Sequence, residues 1–119
     1  MSQITKNILM IKPSSFGFNN DTSGDNYFQK QINNLSQSEI RLKAVEEFEH
    51  MCSILKKNGI NIIVFENDEN KKLTDDVFPN NWISFHGNKY VIHSMYAKSR
   101  RGEKNKSFIN TLSTHNFNY

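Results

Sequence analysis

The chain is poor in the residues that build small cross-linked or repetitive proteins: one cysteine (Cys52), two prolines, five glycines and one tryptophan. A single cysteine excludes an intramolecular disulfide framework and a multi-cysteine zinc module. No apolar run approaches the ~20 residues that a membrane-spanning helix needs. The N-terminal stretch MSQITKNILMIKP has an apolar run too short for a secretory signal and no small-residue cleavage pattern, so a cytoplasmic location is expected. No internal repeat and no linker is visible. Hydrophobic residues make up 36% of the chain, which is low for a globular domain, and asparagine fills much of the gap. Aromatic residues reach 12%, too many for a disordered chain. At 119 residues the chain is one small domain or part of a larger one. A domain of this size buries about two-thirds of its unfolded surface, which allows a core but not a generous one.

Charge of one sign is also scarce. The net charge is +3, and Lys98, Arg100, Arg101, Lys104 and Lys106 against Glu103 contribute +4 of it, leaving the rest near −1. The chain is nearly neutral with a single basic loop at 98–106.

What is present reads as alternating strand and helix. Residues 7–12 (NILMIK) form a short buried strand that stops at Pro13. Residues 13–35, rich in Ser, Asn, Gly and Asp, form a long loop with a helical turn around 27–32. A loop of that length in a compact domain is often functional. Residues 38–58 are the clearest helix. Ser36 or Ser38 caps it, Glu39 complements its dipole, and Gly59 ends it. Ala44, Val45, Phe48, Met51, Cys52 and Leu55 recur at three- and four-residue spacing and make one buried stripe. INIIVFE at 60–66 is a second buried strand, so the order strand, helix, strand predicts an α/β unit. Residues 67–76 form a polar loop. Residues 82–86 and 89–94 alternate across Gly87-Asn88 and predict a hairpin, pairing Phe85 with Tyr90, Ile83 with Ile92 and Trp82 with His93. Residues 107–113 look helical, and HNFNY at the end resembles the start of a strand, which would leave an unpaired edge.

Several groups are candidates for chemistry. Cys52 lies on the apolar stripe with no activating cation, so core packing is its expected role rather than nucleophilic attack. His86 and His93 share a hairpin face, but four residues of strand at ~3.3 Å each put them ~13 Å apart, too far for one metal ion. No metal site is expected. The basic loop makes too few phosphate contacts for a nucleic-acid site, and no aromatic platform accompanies it. It reads as a solvated loop, or better as a loop whose Arg100 and Arg101 clamp a small carboxylate. Pro79-Asn80-Asn81-Trp82 is the most unusual string. By itself it reads as a turn held by its own amide side chains, or as a polar binding element.

Read in order, these strings resemble the arginine deiminase-related, citrulline-utilisation amidinotransferase family of guanidino-group-modifying enzymes. ILMIKPSSFGFN (8–19), Thr22, Asn26, Phe28 and Gln29 are similar to that family's first strand and loop. AVEEFEHMCSILKKNGINIIVFE (44–66) is similar to its next helix and strand. VFPNNWISFH (77–86), Met95 and RRGE (100–103) resemble its most recognisable block. The resemblance implies a partial α/β propeller (pentein), about one and a half of five ββαβ blades, with 1–119 as the N-terminal part of a longer domain. It implies an amidinotransferase or an arginine/citrulline-type deiminase: a cysteine thiolate that attacks a guanidinium or ureido carbon, a histidine as acid and base, completion by water in a hydrolysis or by an amine in an amidino transfer, and no cofactor. Neither catalytic group has a counterpart here, so no catalytic residue is expected and the chain alone is expected to be inactive. The substrate-binding residues implied are Asn80, Asn81, Arg100, Arg101, Thr22 and Asn26. Amides at 80 and 81 suit a neutral ureido or mixed donor–acceptor head group better than a cation. The partners expected are a small guanidino or ureido amino acid and other copies of the chain through open sheet edges, with no nucleic acid and no membrane. The alternative is a small non-catalytic α/β binding or assembly module.

Overall fold

A computed structural model describes residues 4–17, 36–104 and 106–115. The elements run β1 (Asn7–Ile11), α1 (Gln37–Lys57), β2 (Asn61–Phe65), β3 (Ile83–His86), β4 (Lys89–Ile92) and α2 (Lys106–Thr114). Short 3₁₀ turns occupy Glu69–Lys71, Pro79–Asn81 and Lys98–Glu103. The class is α/β, as the sequence pattern predicts. The expected helical turn at 27–32, the sites Thr22 and Asn26, and most of the terminal HNFNY lie outside the described residues.

Strands β1 and β2 pair in parallel, in register from Asn7 opposite Asn61 to Ile11 opposite Phe65. The pairing starts from a side-chain bond in which Asn61 Nδ2 donates to Asn7 Oδ1 at 2.9 Å. Helix α1 makes the connection between them, and its ends are chemically specified. Of the two candidate caps, Ser36 is the one used: its Oγ accepts from the Glu39 backbone N–H at 3.3 Å, while Glu39 Oε2 accepts from the Ser36 N–H at 2.8 Å. This reciprocal box holds the Glu39 carboxyl below its usual range. At the other end Gly59 takes φ +79°, with Gly59 N–H donating to Lys56 O and Ile60 N–H to Leu55 O. That pattern satisfies the orphan carbonyls and requires a residue without a Cβ penalty. Ser36→Ala is expected to destabilise the protein by about 1 kcal/mol in a denaturant melt, with no change in the folded circular-dichroism spectrum.

The two faces of the β1–β2 sheet are covered unequally. Leu9, Ile11 and Phe65 point into a core shared with Trp82, Ile83, Tyr90, Met95, Phe108 and Leu112. Phe108 of α2 is its centre, edge-on to Phe65 at 4.9 Å and to Trp82 at 4.8 Å. The opposite face carries Met10, whose sulfur lies 4.0 Å from Cys52 Sγ on α1. Here the expected buried stripe is only partly sealed. Cys52 is buried, but Ala44, Val45, Phe48 and Leu55 are half-buried and Met51 is exposed. Among the described residues two strands ~4.8 Å apart make a strip hardly wider than the helix, so it seals Cys52 but not the rest of the stripe; the helix's other buried residue, Ile40, is not part of that stripe.

The hairpin forms as expected, with Ile83 opposite Ile92 and Phe85 opposite Tyr90. Gly87 supplies φ +65° in its two-residue loop, which a right-twisted hairpin requires. Trp82 departs from the expected alternation. Its backbone accepts from the His93 N–H at 2.7 Å, so the two residues do pair. Its ψ of −7° is not that of a strand, however, and the indole turns into the core rather than onto the His93 face.

Candidate functional site

Four polar residues are buried around one stretch of backbone: Asn67, Asp75, Asp76 and Glu103. Buried carboxylates demand partners. The partner that organises them is Arg100.

In the 3₁₀ turn Lys98–Glu103, side chains three apart eclipse, so Arg100 and Glu103 lie on the same side. Arg100 Nε donates to Glu103 Oε1 at 2.9 Å, and Nη2 donates to Oε2 at 3.1 Å. This two-pronged bond is the geometry a planar guanidinium is built for. The same group reaches a second element. Nη1 donates to Asn81 Oδ1 at 2.7 Å, and Nη2 donates to the carbonyls of Asp75 (3.0 Å) and Phe78 (3.3 Å). Arg100 therefore ties the turn 98–103 to the turn that presents Pro79-Asn80-Asn81. That turn is closed by its own backbone: Asn81 N–H donates to Phe78 O and Trp82 N–H to Pro79 O. Pro79 suits its first position, where no N–H is needed.

The structure brings Asn80, Asn81 and Arg100 together, and Arg101 lies next to them in sequence but works elsewhere. Its Nε donates to Met95 O at 3.1 Å and its Nη2 to Tyr96 O at 3.2 Å. Both arginines thus hold backbone of this chain, and Lys104 Nζ does the same at His93 O. The basic loop is a folded turn in which Arg100, Arg101 and Lys104 each donate to backbone carbonyls of this chain, while Arg101 stays exposed. Asn80 is exposed, and so is Asn81. Because Arg100 occupies the Asn81 carbonyl oxygen, the NH2 group is the end of that amide left to offer.

Asp76 is the residue that sequence reading missed. It is 1% exposed. Its Oδ2 accepts from Asn67 Nδ2 at 3.1 Å, and Oδ1 has no partner among the described residues. Burial raises its pKa to about 6, opposed by the Asn67 bond and reinforced by the nearby Glu103 and Asp75. Burial also raises the Glu103 pKa, against the pull of Arg100. The only sequence signal was the acidic pair Asp75-Asp76 placed directly before an apolar Val77-Phe78.

The remaining candidates divide. Cys52 is buried, and burial pushes its thiol pKa up, against a weaker pull from Lys56. It therefore stays protonated at neutral pH and packs as expected. The ~13 Å separation expected for His86 and His93 fails. Both Nε2 atoms lie within hydrogen-bond reach of Ser84 Oγ, at 3.1 Å and 2.9 Å. The count of strand residues measured backbone positions, whereas side chains on an open face lean along the strand. A cleft of ≈ 520 Å³ opens between β1, α1 and Val77-Phe78, and one of ≈ 500 Å³ between Phe16, Arg41 and Lys72. Neither is lined by Asn80, Asn81, Arg100 or Arg101. No helix among the described residues is long and apolar enough to cross a membrane.

No curated protein and no solved structure matches the chain. A family model does, over residues 12–119: N,N dimethylarginine dimethylhydrolase, eukaryotic. The match spans the half-buried helix, the Asn80-Asn81 turn and the Arg100 turn together. It agrees with the expected guanidino-modifying class and supports, at family level, hydrolysis, one of the two outcomes that the resemblance implies. The chain belongs to the eukaryotic N,N-dimethylarginine dimethylhydrolase family of guanidino-modifying enzymes.

Proposed function

We propose that this chain supplies the substrate-holding part of a guanidino-modifying hydrolase and not its nucleophile. The observation that carries the proposal is the Arg100 fork, which fixes Asn81 while leaving its NH2 group and the neighbouring Asn80 exposed. The two amides of this turn can line the edge of a planar head group, Asn80 accepting from its N–H groups and the NH2 groups of Asn80 and Asn81 donating to a ureido oxygen. In this reading Arg100 positions the amides and Arg101 shapes the loop beside them. Thr22 and Asn26, outside the described residues, stay substrate-binding candidates by the resemblance alone. The strand–helix–strand unit and the hairpin would belong to a partial pentein propeller. Hydrolysis of a dimethylated guanidinium adds water at the central carbon, releases dimethylamine and leaves a ureido group. A thiolate attack on that carbon needs a cysteine unlike the buried, protonated Cys52.

The reading makes a specificity prediction. Amides carry no charge, so the site favours a ureido head group over a cationic one. Replacing both residues, Asn80→Asp with Asn81→Asp, is expected to move the preference from citrulline toward dimethylarginine by roughly tenfold or more, since hydrogen bonds to charged groups are worth about 1.5–3 kcal/mol. Competition binding of the two amino acids to wild type and variant measures the ratio. An unchanged ratio would remove Asn80 and Asn81 from the site. The inactivity of the chain alone has its own assay. Dimethylarginine incubated with the pure chain should yield no dimethylamine, and turnover abolished by Cys52→Ser would overturn the proposal.

A second reading, an assembly module, is favoured by the exposed Phe85, Val91 and Tyr96 near the edges of a sheet that has only two strands among the described residues. Concentration-dependent sedimentation abolished by a charge at Val91 would support it.

A further inference from the structure

We propose that His86 and His93 form a two-nitrogen site for a borderline divalent transition-metal ion, of the zinc or copper class, on the outer face of the β3–β4 hairpin. The register dictates the cluster. Ser84 and His86 are two apart on β3, so they share a face. His93 continues that face from β4, held to Trp82 O by its backbone N–H. The three side chains converge: Ser84 Oγ lies 3.1 Å from His86 Nε2 and 2.9 Å from His93 Nε2. Laid end to end, those two contacts cap the separation of the nitrogens at about 6 Å.

An ion bound at ~2.0–2.1 Å to each nitrogen needs them closer, at roughly 3–4 Å. Both rings are exposed, so rotation about their side-chain bonds closes the difference with no change in the hairpin backbone. The electronic requirement is also met. A single hydroxyl can donate to one ring while accepting from the other, so one Nε2 already presents a lone pair toward the centre of the cluster. The ring that donates to Ser84 moves its proton to Nδ1 through water before it ligates, and no net proton is released when both rings start neutral. No group of three or more His, Cys, Asp or Glu ligands assembles among the described residues. The site therefore holds the ion by two nitrogens and leaves its remaining positions to water or to another molecule. Imidazole suits zinc, copper and nickel ahead of calcium or magnesium, which select oxygen. Lys89 pairs with His86 on the same face and is the nearest cation of the hairpin opposing the ion.

The test uses zinc chloride as the probe and the full chain. Calorimetric titration should give one ion per chain, and nitrogen NMR of the imidazoles should move the Nε2 signals of His86 and His93 together. His86→Ala or His93→Ala should each weaken binding about tenfold or more, the range already reached by losing outer-sphere partners. Lys89→Glu should tighten it. His50→Ala, His115→Ala and Cys52→Ser should leave it within twofold. The proposal is overturned if His86 and His93 do not shift. It is equally overturned if both hairpin variants bind as wild type does, or if loss of His50, His115 or Cys52 is what removes binding. Circular dichroism of each variant separates loss of the site from loss of the fold.

Discussion

Arg100→Ala is expected to remove about 3–5 kcal/mol of folding stability, the cost of leaving a buried carboxylate without its partner. Two features place the residue at the high end of surface-to-core ion pairs. The Arg100 side chain is 11% exposed and Glu103 is 1% exposed, so water replaces little of what is lost. The same guanidinium also satisfies the carbonyls of Asp75 and Phe78 and the Asn81 amide. Most small domains are stable by only 5–15 kcal/mol, so the variant should be partly unfolded at moderate temperature. Arg100→Lys is not a conservative repair, because an ammonium cannot span the carboxylate and the turn from one plane. Arg100→Ala combined with Glu103→Gln should recover part of the loss by removing the stranded charge. Urea melts of the three variants check this. If Arg100→Ala costs less than about 1 kcal/mol, a value typical of exposed pairs, the hub is not structural.

Asp76 gives the second large effect, through pH. Its ordinary pKa is 3.8, and burial raises it to about 6 in the folded chain. The folded state therefore binds this proton more tightly than the unfolded state does. The resulting stabilisation is complete below pH 3.8 and is lost as pH rises through about 6. A shift of two units corresponds to about 3 kcal/mol at most. Asp76→Asn is neutral at every pH and keeps an oxygen for Asn67. The difference in stability between variant and wild type should therefore move in the variant's favour by up to about 3 kcal/mol between pH 4 and pH 7. The new amide nitrogen falls where Oδ1 has no partner, so the absolute level is less informative than the slope. Carboxylates distant from Asp76 contribute to both proteins and cancel in the difference, whereas Glu103 and Asp75, which repel the Asp76 charge, are relieved in the variant and add to the slope in the same direction. A difference that stays flat across this range would show that Asp76 is ionised without penalty.

Local chemistry was legible and tertiary meetings were not. Ser36 with Glu39, Gly59, and Gly87-Asn88 specify a helix start, a helix stop and a hairpin through bonds between near neighbours, so the pattern carries them. The stripe on α1 was read correctly as the buried side, but its degree of burial depends on how wide a sheet lies beneath it. Two strands cover Cys52 and leave Met51 exposed. From its spacing alone Arg100 reads as a clamp for a substrate carboxylate. Its use is decided by the docking of residues 75–81 against 98–103, which no spacing within either segment reveals. Asp76 escaped because an acidic residue in a polar loop is normally solvated. Counting strand residues separates the two histidines, yet Ser84 lies between them and both rings reach its hydroxyl. The family strings succeeded where single residues did not, because they sampled both sides of the Arg100 junction at once.

The most direct measurement is a titration of the nitrogen-labelled chain with citrulline and with dimethylarginine, followed at the side-chain NH2 signals of Asn80 and Asn81. If Arg100 holds these amides as a substrate edge, both signals shift saturably, citrulline acts at lower concentration, and no dimethylamine forms. If both signals stay still at concentrations of each amino acid that shift residues elsewhere, the Asn80-Asn81 turn is only a turn and the proposed site is wrong.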